Sequence, residues 1–263
     1  MKKIILTLGL ILSFSLVANA QFGKIKIDKA VGAAVKGAQA FTLTDEQMAA
    51  YCAEYVVWFD KEYPICSTTD KDKGMRECAE RLEKIVAQIP IKEVDGLKLD
   101  IRAGWVVNIN AFACANGSIR VFAGLMDVMT DDEIMAIIGH EIGHIANKDS
   151  KNAFKTALLT SALKDAAGAA GGTAAQLSES QVGALGEALT NAQYSQKQET
   201  AADKYGFEFM KKCKKDPKNM ASSLGVLLKI QQEAGAGGTD AVNKLFSTHP
   251  DLDKRIANLN KLK

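Results

Sequence analysis

His140-Glu141-Ile142-Gly143-His144 is the stretch on which the reading of this chain turns. On a helix, residues i and i+4 lie one turn apart on the same face, so both imidazoles can point at one metal ion. Glu141, between them, is placed to take a proton from a water that such an ion activates. The chain holds only three histidines, and two of them fall inside these five residues. A chance match on an ordinary buried or solvated helix is therefore the weaker explanation. Upstream, Thr130-Asp131-Asp132-Glu133 has the form of a capping box and predicts where this helix begins.

A catalytic zinc usually takes three protein ligands and keeps one position for water. The third donor must come from elsewhere, and the only other histidine is His249. Among the acidic residues, Glu199-Thr200-Ala201-Ala202-Asp203 stands out. It is expected in the middle of a long helix over about Ser178 to Lys212, where Ala201 and Ala202 would let that helix approach closely. Asp203 falls one turn after Glu199, where a carboxylate could fix a ligating imidazole in the right tautomer. On spacing alone, however, an acidic helix face in solvent is the better account of this segment.

Other elements follow from periodicity and turn chemistry. Thr44-Asp45-Glu46-Gln47 opens a helix with apolar positions at Met48, Tyr51, Cys52, Tyr55, Val56 and Phe59. A second helix runs from about Asp72 to Gln88, with Met75, Cys78, Leu82, Ile85 and Val86 on one face, before Pro90. Leu97–Val107, Asn110–Ala113 and Ile119–Phe122 read as strands, with Asn116-Gly117 as a hairpin turn. The rest reads as helical, with one helix over about Met220–Gln232, a break at Gly235-Gly237-Gly238, and a last helix after Pro250. The small-residue segment Ala153–Ala170 carries Lys155, Lys164 and Asp165, which are too costly for a bilayer core; it is expected to be a soluble helix or a flap. The fold class expected is α+β, mainly helical.

The sequence resembles the HtpX-like and CAAX-prenyl-protease-like zinc metallopeptidases, and within them the small exported bacterial branch. The resemblance rests on Asn110-Ala111-Phe112-Ala113, Ile119–Met129, Ile138–Ile145, Ser195–Asp203, and Thr248-His249-Pro250 with Arg255-Ile256. It covers about residues 40–262. An HExxH followed by an ExxAD, with 55 positions from His144 to Glu199, is a specific combination. The resemblance implies a zincin-type (gluzincin) protease with a small β-sheet beside the active-site helix. It implies one Zn2+ per chain on His140, His144 and Glu199, Glu141 as general base, and Asp203 as support. It further implies a substrate-binding edge strand at Asn110, Ala111, Phe112 and Ala113, to which an extended peptide can add; an ordinary edge strand is the alternative. His249 is expected to cap the metal or stabilise the oxyanion, and Arg255 to orient carboxylates or touch substrate. A surface histidine at a helix start remains the plainer reading of His249. Relatives often carry Arg where this chain has Gln196 after Ser195, which puts a salt bridge from that position in doubt.

Met1-Lys2-Lys3, the apolar run Ile4–Val17 and Ala18-Asn19-Ala20 have the three parts of a secretory signal peptide over residues 1–20. Residues 21–40 are expected to be a loosely ordered lead-in, and 41–263 a single metallopeptidase domain. The chain carries 33 basic and 31 acidic residues; loss of Lys2 and Lys3 leaves 31 of each, which argues against nucleic-acid binding. Cys52, Cys66, Cys78, Cys114 and Cys213 form no C-x-x-C pair, and an odd count leaves at least one thiol without an intramolecular partner. The reading that results is a zinc endopeptidase of the periplasm acting on unfolded or misfolded polypeptides, with room for envelope-protein partners and with membrane association left open. The competing reading is a latent or non-catalytic zinc-stabilised scaffold or chaperone, closed by His249 as a permanent fourth ligand.

Overall fold

In the computed structural model, residues 44–160, 177–190, 193–234 and 249–263 are described, all within the unit Phe41–Lys263. The expected signal peptide, the lead-in, most of the small-residue segment, the glycine break at 235–238 and Thr248 lie outside the described residues. The first described helix, α1 (Asp45–Glu62), starts at Thr44, whose hydroxyl accepts from the Gln47 amide while the Gln47 side chain accepts from the Thr44 amide. Its buried face is Met48, Tyr51, Cys52, Tyr55, Val56 and Phe59, the stripe that the 3.6-residue period gives. Helix α2 (Lys73–Ala87) is capped by Asp72 and buries Ala79, Leu82 and Ile85.

The expected strand Ile119–Phe122 forms with Ser118 added, while the other two are shorter than the sequence suggests. Glu93–Val94 (β1) and Leu97–Lys98 (β2) form a small antiparallel hairpin turning on Asp95-Gly96, an Asp-Gly turn signal at the head of the expected strand. That strand, Leu97–Val107, is thereby divided. Only Asp100–Gly104 (β3) joins the main sheet, running parallel to Ser118–Phe122 (β5), which pairs antiparallel with Ala111–Ala113 (β4). The order is β3-β5-β4, so β4 is an edge. The Trp105-Val106-Val107 run leaves the sheet because the Trp105 amide donates to Pro64 and the Val106 amide folds back onto Gly104. In the β4–β5 turn, Gly117 has φ +88 and a Cβ there would meet the Lys98 carbonyl oxygen at 2.4 Å, so a side chain is excluded twice over.

Arg120, at the centre of β5 and 1 % exposed, donates to both Asp60 carboxylate oxygens (2.8 and 2.9 Å) and to Asp100. This ion-pair network ties the sheet to α1. After β5 come α3 (Ala123–Val128) and α4 (Asp131–Ala146), the latter capped by Thr130 and Glu133 as expected. Nearly all of α4 is buried, including His140, Glu141 and His144. Lys148, at φ 62, turns the chain directly into α5 (Asp149–Thr160).

The long helix expected over Ser178–Lys212 is two helices, α6 (Glu179–Thr190) and α7 (Gln196–Lys212). The second begins with its own capping box, Ser195 with Gln198, so Glu199 lies in a first turn rather than mid-helix. Helices α8 (Asn219–Ala234) and α9 (Leu252–Leu259) complete the described residues. Among these residues no helix is long and apolar enough to cross a membrane, and all five cysteines are free. The body is mainly helical with small sheets, consistent with a zincin-like fold.

Candidate metal centre

Helix α4 packs closely on α7, and small residues decide how closely. A Cβ at Gly143 would lie 2.9 Å from Tyr205 Cβ and 3.0 Å from Ala202 Cα, and one at Gly139 would lie 2.4 Å from Phe209. From the other side, a Cβ at Gly206 would meet Met220 Sδ at 2.7 Å and the His140 amide nitrogen at 3.2 Å. Ala202 is fully buried at this crossing, but Ala201 is exposed; only one of the two alanines has the role expected of both. The contact brings the first turn of α7 against the second half of α4, and Glu199 onto the two histidines.

His140 Nε2 and His144 Nε2 are 3.1 Å apart, with the rings nearly perpendicular. Glu199 Oε2 is 3.7 Å from His140 Nε2, and Oε1 is 3.5 Å from His144 Nε2. A tetrahedral zinc with bonds of about 2.0–2.1 Å has ligand–ligand edges of roughly 3.3–3.4 Å, and the three separations bracket that length. His249 also enters the cluster: Nδ1 is 3.0 Å from Glu199 Oε1, and the four donor groups lie within 4.8 Å of one another. Glu199 Oε2 is buried and accepts no aligned hydrogen bond, although Arg255 faces it in an ion pair at 2.5 Å. Two imidazoles and a carboxylate with a spare lone pair form a donor set that fits a divalent metal ion of the zinc class.

A layer of charge holds these donors. His140 Nδ1 lies 3.0 Å from Asp203 Oδ1, off the hydrogen-bond line, and His144 Nδ1 pairs with Asp149 Oδ2 at 3.1 Å. With the Nδ1 atoms turned to carboxylates, the Nε2 atoms are left for a metal. Arg255, 3 % exposed, donates through Nε and one terminal nitrogen to the two oxygens of Asp203 (2.8 and 2.6 Å). It therefore orients Asp203 and Glu199 together. Burial acts to raise the Asp203 pKa, but the Arg255 fork and His140 outweigh it and hold the carboxyl below its ordinary value. Burial opposes ionisation of Glu199 too, yet His249, His144 and His140 keep it well below the usual carboxylate range. Burial disfavours a charged His140 and lowers its pKa. At His144 burial acts the same way, but Asp149 and Glu199 reverse it and push the value up to about 9. A metal entering this cluster therefore displaces a proton.

Glu141 stands apart from the donors. It is buried and, with His249, lines a cavity whose other wall includes Asn110, Ala111, Phe112 and Ala113. The general-base candidate and the expected edge strand thus face the same space.

Two residues at the centre escape a reading of the sequence. Asp149 follows His144 by five residues, beyond the end of α4, where no helical spacing rule points; its other oxygen accepts from Gln198 at 2.8 Å. Tyr194 stacks on His144 with centroids 4.0 Å apart and planes 15° from parallel; its place just before the Ser195 cap is the available signal. Gln196 donates from its side-chain amide to Asp251, so a neutral donor links α7 to the start of α9.

Comparison with known proteins agrees with this geometry. Residues 77–263 match the profile of Peptidase family M48. The chain is 34% identical over 221 residues to Metalloprotease LoiP of Escherichia coli (strain K12), covering 84% of this chain and 82% of that protein. It is 30% identical over 260 residues to Metalloprotease YcaL of the same organism, covering 98% and 97%. A more distant likeness, 27% over 180 residues, is to the Protease HtpX homolog of Salinibacter ruber, covering 58% of this chain and 64% of that one.

Proposed function

The chain belongs to peptidase family M48, and from that premise we propose that it is a zinc-dependent endopeptidase acting on unfolded or misfolded polypeptides. The observation that carries the proposal is the convergence of His140, His144 and Glu199 with Glu141 beside them at the wall of an open cavity. Zinc held by those three side chains would supply a Lewis acid that makes water nucleophilic near neutral pH. The chain's own residues do the rest. Glu141 takes the proton from the attacking water and delivers it to the leaving amine. Asp203 and Asp149 keep the two imidazoles in the tautomer that offers Nε2, and Arg255 fixes Asp203 and Glu199 from behind. His249, which lines the cavity, would donate to the oxyanion as it forms. The edge of β4, unpaired among the described residues, would offer backbone groups to an extended peptide.

The N-terminal pattern supports export with cleavage after Ala20 and a periplasmic location, where unfolded envelope proteins would be the substrates; N-terminal sequencing of the secreted form should begin at Gln21. A second reading, a zinc-stabilised scaffold or latent enzyme, is favoured by one observation, the presence of His249 among the four donors. Degradation of casein by the purified protein separates the two. Chelator-sensitive cutting that is absent in Glu141→Gln supports the endopeptidase. A zinc-loaded protein that binds casein without cutting it supports the closed site.

A further inference from the structure

We propose that Cys66 and Cys78 are the two halves of a disulfide, a covalent staple between the edge of the main sheet and helix α2. The proposal goes beyond the peptidase reading and does not depend on it. Neither cysteine is among the metal donors or the residues that line the cavity.

A disulfide needs two cysteines already within reach of each other, and here two rigid elements bring them there. Cys66 sits in the connector between α1 and α2, on a stretch that covers the free edge of β3. Its amide donates to the Ala103 carbonyl at 2.9 Å, and the Trp105 amide donates to Pro64 at 2.8 Å. Between those bonds Ile65 bridges Gly104 in the antiparallel sense. Cys78 belongs to the second turn of α2, and its Sγ lies 3.6 Å from Met126 Sδ of α3. The two thiols share a side-chain hydrogen bond, and both pack into the cluster that holds Ala79, Leu82 and Ala103. Trp105 belongs to the same unit, because a Cβ at Gly74 of α2 would lie 2.8 Å from its Cη2. Sheet edge and helix, each fixed by its own hydrogen bonds, thus present one sulfur to the other.

The pair is also divided into attacking and resolving thiols. Cys66 is buried while Cys78 is partly exposed. The hydrogen bond from Cys66 lowers the Cys78 pKa, and the same bond, with burial, holds the proton on Cys66. Cys78 is therefore the first nucleophile. Its thiolate attacks one sulfur of an external disulfide, such as glutathione disulfide or an oxidised thiol oxidoreductase, and expels one thiolate. Cys66 then gives up its proton and attacks Cys78 Sγ, releasing the second. The protein loses two electrons and two protons, and the oxidant leaves as two thiols. Cys52 and Cys114 lack this access: they are 0 and 2 % exposed, and burial pushes both thiols up. The bond closes residues 66–78, a loop of 13 residues. It also anchors the strand partner of Trp105, from which the chain runs on into Val106 and Asn108 of the cavity wall.

The test takes the purified protein with its thiols reduced, exposes it to glutathione disulfide, and alkylates whatever thiols remain. Trypsin cuts after Lys71, Lys73 and Arg76, all between the two cysteines. Without reductant, peptides 62–71 and 77–81 should appear as one species with their summed mass less two hydrogens, and should separate once reductant is added. The thermal midpoint of the oxidised protein should fall by about 5–10 °C in a phosphine reductant, the effect of opening a loop of this size in a domain this large. A phosphine is chosen because a dithiol would also take up zinc. Cys66→Ala and Cys78→Ala should each abolish the shift, and should either fail to fold, the peptide map of the unaltered chain still decides the pairing. Alkylated Cys66 or Cys78 in the oxidised protein, glutathione retained on Cys78, or a link from either to a third cysteine overturns the proposal. An unmoved midpoint in linked protein overturns the staple. None of these outcomes depends on whether casein is cut, so the peptidase reading stands or fails separately.

Discussion

Glu141 separates two regions built in opposite ways. Toward α7 the packing is close: Gly139, Gly143 and Gly206 sit where a Cβ would clash, and the buried groups are His140, Glu199, Asp203 and Arg255 in mutual ion pairs. Toward α1 and α6 an aromatic shell surrounds open volume, and the charged residues that line it are few. Buried charge is costly unless its geometry is fixed, so the charged side needs close packing to hold donors in register. An apolar wall has no such requirement and can leave room for a ligand. Substitutions on the first side should therefore remove metal, stability or turnover outright. Those on the second should change which peptide is chosen.

The largest effect is expected at the boundary itself. Glu141→Gln should keep one metal ion per chain, by elemental analysis, and lose turnover by roughly 10²–10⁴-fold, the usual share of general acid–base catalysis. His140→Ala should lose both the ion and the activity. Retained proteolysis in Glu141→Gln would remove Glu141 from its role and the boundary with it. Next comes Arg255→Met, which leaves Asp203 and Glu199 buried without their cation. Breaking a buried pair costs about 3–5 kcal/mol, readable as a lower urea midpoint. A cost under about 1 kcal/mol, the range of exposed pairs, would mean that packing, and not charge, holds this side.

How far the sequence carries this picture depends on whether each signal is local. The α4 motif, its Thr130 cap and the six-residue buried stripe of α1 are spaced by helix geometry alone, and all three stand as read. Glu199 is weak on spacing because what commits it is contact with α4 across 55 positions, which only the close α4–α7 crossing reveals. The break before α7 does have a local signature, Ser195-Gln196-Lys197-Gln198, in which Gln198 is the capping-box partner of Ser195. Helix-forming residues continue on both sides of it, so the periodicity alone runs straight through. The aromatic residues of α1 read as core, and the open cavity beside them depends on where α6 lands. Asp149 is illegible for a related reason: Lys148 in the left-handed region swings it back under His144. Asp149→Asn tests that placement and should weaken metal affinity about 10–100-fold, the usual effect of losing a carboxylate behind a ligating imidazole. Unchanged affinity in a metal-competition titration would move Asp149 out of the centre and into ordinary helix capping.

The smallest effect is expected where the aromatic side carries charge on its surface. Lys61 of α1 and Glu179 of α6 form an ion pair at 3.2 Å, with side chains 70 % and 73 % exposed. Helix α6 is placed against α1 by buried Val182 and Leu185 and by Gly186 resting on Tyr55, so the pair has little left to determine. Exposed pairs contribute about 0.2–1 kcal/mol at most and fade with salt. Lys61→Ala should accordingly shift stability by no more than about 0.5 kcal/mol and leave the rate of casein degradation where it was. If it instead costs more than about 1 kcal/mol, above the range for exposed pairs, or alters casein degradation, then charge also positions the cavity wall. The two sides of Glu141 would then differ in what they bury and not in what holds them.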